Sequence, residues 1–172
     1  MDKAKEKEII LIGLGANLPS RFGEPRQTLQ AALARLEEEG VPVLACSRFW
    51  KTRPVPVSDQ PWFVNAVALV ATELAPDALL ALLHRLEDEF GRVRTVVNAP
   101  RLIDLDLLAY GPVVLRQAGG AQVPHPRAGE RAFVLLPIQD IVPGWVHPIS
   151  GETISTMLAR VPADQMAEPM AD

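Results

Sequence analysis

An acidic pair in the second half of the chain has the clearest chemical meaning. Asp104 and Asp106 alternate with the apolar residues Ile103, Leu105 and Leu107. Because alternate side chains of a strand share a face, the two carboxylates would project together while the apolar residues enter the core. Two charged carboxylates beside apolar residues are costly unless a cation lies near them. The spacing alone indicates either a solvated strand edge or a cation site.

Three arginines precede this pair. Arg92, Arg94 and Arg101 lie in a segment that Gly91 and Pro100 mark as a loop. They could form surface salt bridges, each worth roughly 0–1 kcal/mol. They could instead bind phosphate oxygens through paired hydrogen bonds while the carboxylates bind magnesium. Both signs of charge side by side favour the second interpretation, a metal–phosphate site.

The composition predicts one ordinary globular domain over residues 1–172, with a core at about 9–160 and flexible termini. A net charge of -4 argues against general nucleic-acid binding, so an anion must be bound by a local arginine cluster. The apolar runs are too short to cross a bilayer. The single cysteine, Cys46, fits a reducing compartment. We therefore expect a cytoplasmic protein with no membrane or nucleic-acid partner.

Hydrophobic periodicity predicts alternating strands and helices. The proline-rich segment 53–61 cannot be regular structure and is expected to be an exposed loop. The order strand, helix, strand, strand, helix, strand is that of the ferredoxin-like plan, which implies an α+β sandwich with helices on one face of a mainly antiparallel sheet. The expected strands are 8–14, 43–50, 63–74 and 102–110, and the helices are 25–39, 76–90, 132–141 and 153–161.

Several short blocks, in order, resemble one known family. They are GLGAN at 13–17, FWKT at 49–52, QPWFVN at 60–65, GRVR at 91–94, APR at 99–101, DLD at 104–106, VPHP at 123–126 and RAF at 131–133. The chain resembles the 6-hydroxymethyl-7,8-dihydropterin pyrophosphokinases of folate biosynthesis, and the resemblance runs over about residues 9–157.

The resemblance implies a reaction and a set of roles. In that family ATP donates its pyrophosphoryl group to the hydroxymethyl oxygen of the pterin, and AMP leaves. Two Mg2+ ions bind with ATP, which the resemblance assigns to Asp104 and Asp106. Arg92 and Arg101 match the family's catalytic arginines. The other implied ATP contacts are His84, Glu87, Arg94, Leu107, His125 and Arg131, and the implied pterin contacts are Thr52, Arg53, Pro54, Val55, Phe63, Asn65 and Phe133.

Alternatives remain at the level of residues and of function. Phe63 and Phe133 could be plain core residues, and a buried Asn65 would need polar partners with or without a ligand. Residues 95–99 depart from the family pattern, so no role is assigned there. A non-catalytic module that binds a nucleotide or a pterin would not need both aspartates. Another magnesium-dependent phosphotransferase, acting on a different alcohol, is the third possibility. We expect a monomer.

Overall fold

A computed structural model of the chain describes residues 9–91 and 102–171. The strands and helices were expected from the sequence in nearly this order, and the added ones are short. In chain order the elements are β1 (Ile10–Ala16), α1 (Pro25–Glu38), β2 (Val43–Cys46), β3 (Trp50–Thr52), β4 (Phe63–Val70), α2 (Pro76–Glu89), β5 (Asp104–Tyr110), β6 (Leu115–Arg116), β7 (Gln122–Val123), α3 (Ala132–Ile141), α4 (Ile154–Leu158) and β8 (Ala167–Pro169).

The main sheet confirms the predicted fold class. Its strands lie in the order β5-β1-β4-β3-β8, and β2 also pairs with β4. Every pair is antiparallel. With β2 and β3 counted as one interrupted strand, the first four positions reproduce the ferredoxin-like arrangement. The strands β6 and β7 form a separate two-stranded sheet.

The two long helices begin and pack as their sequences predict. Each has a proline in its first turn, where a missing N–H breaks no helical hydrogen bond. Helix α1 buries Leu29, Ala32 and Leu36, and α2 has the same three- and four-residue spacing of buried leucines. Both cover one face of the sheet, where the even-numbered residues of β1 complete the core.

The expectation that all helices lie on one face is wrong. The opposite face has its own apolar core, in which Leu11 of β1 and Val67 of β4 pack with residues of α3 and α4. Helix α3 is apolar on most sides, so it lies against the sheet and not in solvent. Leu135 and Ile138 are fully buried there. This second layer covers only part of its face, and the rest of that face stays open.

The predicted strand 43–50 is in fact two strands. The interruption falls at Ser47, whose backbone N donates to Val67 O at 2.9 Å. The Ser47 hydroxyl accepts a further hydrogen bond from Val67 N at 2.9 Å. The side chain thus replaces a backbone partner of β4, and the strand pairing restarts at Trp50. The predicted strand 63–74, which is β4, is also shorter than expected, since it ends at Val70.

No described helix is long and apolar enough to span a membrane.

A carboxylate on α3 attaches this helix to the sheet. Asp140 Oδ2 accepts a hydrogen bond from Trp50 Nε1 at 2.9 Å, and Oδ1 accepts one from Arg48 Nη2 at 2.9 Å. Burial alone would raise the pKa of Asp140, but the bonds from Arg48 and Trp50 outweigh it and lower the pKa. Asp140 is therefore charged at neutral pH.

We predict that Asp140→Ala lowers the free energy of unfolding by about 1–3 kcal/mol, because the buried Trp50 N–H loses its partner. Urea unfolding followed by fluorescence measures the change. The control Glu73→Ala removes an exposed loop carboxylate and should stay within about 0.5 kcal/mol of the parent. Equal stability of the two variants would contradict the assigned role of Asp140.

Candidate active site

The open part of the sheet face has a floor made by three neighbouring strands. In β1, Gly15 lies opposite Asp104 of β5 and Asn65 of β4, and Gly13 lies opposite Asp106. These residues occupy alternate positions of their strands and therefore share one face. Because the glycines have no side chains, the space between the carboxylates and the amide stays open.

The acidic pair has the orientation that its spacing predicts. Asp104 and Asp106 are half-buried on the open face, while Leu105 between them is buried in the core. Strand β5 is the outermost strand of the main sheet, and a residue of α2 bonds to its outer edge. Leu105 N donates to Glu87 Oε2 at 2.9 Å. Glu87 is 3% exposed. Its carboxylate thus fixes the strand segment between the two aspartates.

A first cleft lies between the proline-rich loop and α3, with a cavity of about 150 Å³. Phe63 and Phe133 are half-buried and line it, so neither is a plain core residue. Six of the seven predicted pterin contacts line this cleft. The exception is Pro54, which is buried and does not line it. The others in the lining are Thr52, Arg53, Val55 and Asn65, beside Asp104, Asp106 and Arg131.

The polar group of the first cleft is held rigidly. Asn65 Nδ2 donates to Thr52 Oγ1 at 2.6 Å, and both side chains are buried. On its other side, the Asn65 Oδ1 atom lies where a side chain on Gly15 would have to be. The amide is therefore oriented by Thr52 and given room by Gly15. A fixed amide between aromatic walls suits a flat, polar heterocycle.

A second cleft meets the first at the acidic pair. Its lining again includes Asp104, Asp106 and Arg131, together with His125, Arg127 and Leu107. Three of the predicted ATP contacts, Leu107, His125 and Arg131, are thus brought together beside the carboxylates. His84 and Glu87 line neither cleft. Arg92, Arg94 and Arg101 lie outside the described residues, as do residues 95–99.

Backbone contacts fix His125 at the wall of the second cleft. Its N donates to Leu108 O at 2.8 Å, and its Nδ1 accepts from Arg127 N at 3.2 Å. Burial, and then repulsion from Arg131, Arg127 and Arg116, lower the pKa of His125. The imidazole is therefore neutral at pH 7, and with Nδ1 as acceptor the proton is on Nε2. It can donate one hydrogen bond to a ligand.

Arg131 belongs to both clefts. Its guanidinium lies over the Phe133 ring, with Cζ 5.2 Å from the ring centroid. Burial, and then repulsion from Arg127, lower the pKa of Arg131, whereas Asp106 and Asp104 act in the opposite direction. The arginine nevertheless stays charged at physiological pH. A positive group thus faces the acidic pair across the junction of the clefts.

The two aspartates suit a magnesium ion that takes its remaining ligands from water and a substrate phosphate. Among the described residues, no group of three or more His, Cys, Asp or Glu side chains could hold a metal. Magnesium commonly binds one or two carboxylates and completes its octahedron with water and substrate phosphates. Two carboxylates on one face, beside cationic side chains, supply that protein share.

Sequence reasoning missed three residues of this site. Gly13 and Gly15 repeat with the same two-residue period as the aspartates, which is the signal that would have placed them on the same face. Arg127 lines the second cleft, and among the described residues its guanidinium has no hydrogen bond or ion pair. Its only signal was its place two residues after His125.

The chain is similar in sequence to proteins of one family. A family model described as 7,8-dihydro-6-hydroxymethylpterin-pyrophosphokinase (HPPK) matches residues 11–143. Proteins named 2-amino-4-hydroxy-6-hydroxymethyldihydropteridine pyrophosphokinase include one from Pseudomonas aeruginosa, 39% identical over 89% of this chain and 91% of that protein. One from Synechocystis is 38% identical over 88% of this chain and 75% of that protein.

Other similar proteins are much longer. The Folic acid synthesis protein fol1 of Pneumocystis carinii is 36% identical over 91% of this chain, which spans only 20% of that protein. Among solved structures, an HPPK-DHPS in complex with substrates superposes with a TM-score of 0.68. The match covers 89% of this chain and 44% of that one at 14% identity, so it supports the fold alone.

We predict that Gly15→Ala is destabilising by about 1–3 kcal/mol, the usual cost of forcing extra volume into a packed position. A Cβ there would lie 2.5 Å from Asn65 Oδ1, so the amide would have to leave Thr52. The matched control is Gly13→Ala, whose Cβ would lie 3.2 Å from Leu108 Cδ1, a contact that a shift of a few tenths of an ångström in this side chain relieves. Chemical denaturation should find the control near the parent. A Gly13→Ala variant as unstable as Gly15→Ala would contradict this account.

Proposed function

The chain belongs to the 7,8-dihydro-6-hydroxymethylpterin pyrophosphokinase family, and from this premise we propose that it transfers the pyrophosphoryl group of ATP to the hydroxymethyl oxygen of 6-hydroxymethyl-7,8-dihydropterin. The hydroxyl oxygen attacks the β-phosphorus and gives up its proton to water. The bond between the β-phosphorus and the oxygen that bridges it to the α-phosphorus breaks, and AMP leaves with that oxygen. One observation supports this most strongly. Asp104 and Asp106 lie where an aromatic cleft and a cationic cleft meet.

The pterin occupies the first cleft in this proposal. Phe63 and Phe133 flank its ring, and the Asn65 amide pairs with the ring's donor and acceptor edge. Backbone groups from Thr52 to Val55 supply further hydrogen bonds. The buried Pro54 restricts the backbone of that segment. This cleft opens onto the aspartates, so the hydroxymethyl group of the bound pterin can point toward them.

ATP occupies the second cleft. Arg131 and Arg127 bind phosphate oxygens, which the pair of arginines recognises through charge and through paired donors. His125 donates from Nε2, and Leu107 contributes apolar contact. Following the resemblance, Arg94 also binds ATP, and Arg92 and Arg101 stabilise charge on the transferring group. His84 stays a predicted ATP contact.

For Glu87, a predicted ATP contact, the bonds in the structure support an indirect role. Its buried carboxylate accepts from Leu105 N, which lies between Asp104 and Asp106 in β5. We therefore propose that Glu87 acts on ATP indirectly, because it fixes the strand that presents the two aspartates.

Asp104 and Asp106 hold Mg2+ in this proposal, with two ions bound together with ATP as the resemblance implies. Magnesium would neutralise the phosphate charges and orient the β-phosphorus. The described side chains of the junction include no Ser, Cys or Lys nucleophile. We propose that the rate enhancement comes from placement of the two substrates and from preorganised charge.

Two sequence-based alternatives are less well supported. A non-catalytic binding module would need one cleft, whereas this site has two clefts that share a carboxylate pair. A phosphotransferase for an aliphatic alcohol would not need the aromatic pair around a fixed amide. The single-domain organisation, the monomeric state and the cytoplasmic location stay predictions from the sequence.

The decisive assay separates AMP from ADP. The protein is incubated with ATP, magnesium and 6-hydroxymethyl-7,8-dihydropterin, and the nucleotides are resolved by chromatography. We expect AMP to form in equal amount with the pterin diphosphate, and EDTA to abolish the reaction. ADP as the product would indicate transfer of one phosphoryl group and would refute the proposal, as would the absence of turnover.

We predict that Asp106→Asn lowers kcat by at least about a hundredfold, because one magnesium ligand loses its charge. Thermal unfolding should change little, since Asp106 is only half-buried. The control Asp164→Asn neutralises an exposed carboxylate outside both clefts and should leave kcat unchanged. A kcat within about twofold of the parent for Asp106→Asn would remove the metal assignment.

We predict that Arg127→Ala raises the KM for ATP about tenfold, equivalent to about 1.4 kcal/mol, through loss of a charge-assisted hydrogen bond to phosphate. The KM for the pterin should stay the same, since Arg127 is absent from the first cleft. Arg85→Ala, which removes an exposed arginine from α2, is the control for the change in net charge. An equal rise in both KM values would argue against a phosphate contact.

A further inference from the structure

The segment that leads into β8 contacts both walls of the first cleft. Strand β8 pairs with β3 at the edge of the sheet, where Thr52 lies opposite Ala167. Just before it, Met166 O accepts from Arg53 N at 2.9 Å, which holds the first residues of the proline-rich loop. This segment has no counterpart in the ferredoxin-like plan, so the basic fold does not explain why it lies beside the first cleft.

Gln165 in this segment holds the backbone on both sides of Arg131. Its Oε1 accepts from Ala132 N at 3.0 Å, and its Nε2 donates to Glu130 O at 3.1 Å. One carboxamide therefore bonds to the residue before Arg131 and to the residue after it. Two such bonds restrict both the position and the rotation of the Arg131 backbone.

The Arg131 carbonyl accepts from Val134 N and Leu135 N, but among the described residues no side chain other than Gln165 bonds to the backbone on either side of Arg131. Arg131 is the N-cap of α3, with extended backbone angles and no capping side-chain hydrogen bond of its own. The first N–H of a helix lacks an intrahelical partner, and here Gln165 supplies one for Ala132. The Arg131 guanidinium contacts the Phe133 ring and faces Asp104 and Asp106. The direction of the guanidinium therefore depends on the position of the Arg131 backbone.

We propose that Gln165 is a positioning residue for pyrophosphoryl transfer, because its carboxamide holds the Arg131 backbone so that the guanidinium stays at the junction of the two clefts. Gln165 itself lines neither of them, although it lines a separate cavity beside Arg127 and Arg131. It acts through Arg131, and the neighbouring Met166 contact holds the opposite wall. The inference rests on the proposed function and adds a residue that the family resemblance does not name.

A double-mutant cycle tests this coupling. Gln165→Ala, Arg131→Ala and the double variant are compared by kcat/KM for ATP at saturating pterin, below their unfolding temperatures. We expect Gln165→Ala to lower kcat/KM about tenfold with AMP still the product. We expect the double variant to match Arg131→Ala within about twofold, because without the guanidinium the position of its backbone no longer matters. Asp164→Ala, one residue away, is the control and should match the parent.

Two results would overturn the inference. One is an unchanged kcat/KM in Gln165→Ala, and the other is a double variant in which the two losses multiply, as for a residue that only stabilises the fold. Should Gln165→Ala not fold, Gln165→Asn takes its place, since its shorter side chain cannot reach both partners. If the parent and Asp164→Ala release no AMP, the proposed function has failed. The same cycle is then run on affinity for the α,β-methylene analogue of ATP, which still measures the coupling.

Discussion

The alternation of side chains in three adjacent antiparallel strands is the constraint on which the site depends. It places Asp104 and Asp106 of β5, the glycines of β1 and Asn65 of β4 in rows on one face of the sheet. The opposite alternation fills the core beneath α1 and α2. A shift of one residue in either register would exchange these two faces. Stability of the core and geometry of the site are therefore set by the same pairing.

The rest of the molecule completes the clefts over this floor. The proline-rich loop forms one wall, α3 forms the opposite wall, and the segment after β7 forms the cationic side. Long-range contacts keep these walls in place, through Asp140 at the end of α3 and Gln165 at its start. The side chains of the candidate site thus come from distant parts of the chain but are held by a few specific hydrogen bonds. This arrangement suits a reaction that depends on placing two substrates.

Much of this could be predicted from local patterns. The period of the apolar residues predicted the strands and the long helices. The alternation around Asp104 predicted that its side chain points away from the core beneath the two long helices. Other features depend on tertiary partners that no local pattern contains. The break at Ser47 requires its bonds to Val67, and Phe133 reaches the cleft only because α3 packs on the second face. Likewise, the need for glycine at position 15 depends on the Asn65 amide in the neighbouring strand, which occupies the space of a side chain. The family resemblance supplied Phe133 and Asn65 where physical reasoning left their roles open.

We propose that pterin and nucleotide occupy two clefts that meet at one carboxylate pair. A crystal structure with magnesium, the α,β-methylene analogue of ATP and the hydroxymethyl dihydropterin tests it most directly. We expect the pterin ring to lie between Phe63 and Phe133, the triphosphate beside His125 and Arg127, and magnesium on both Asp104 and Asp106. Both ligands in one cleft, or magnesium bound away from the aspartates, would contradict it.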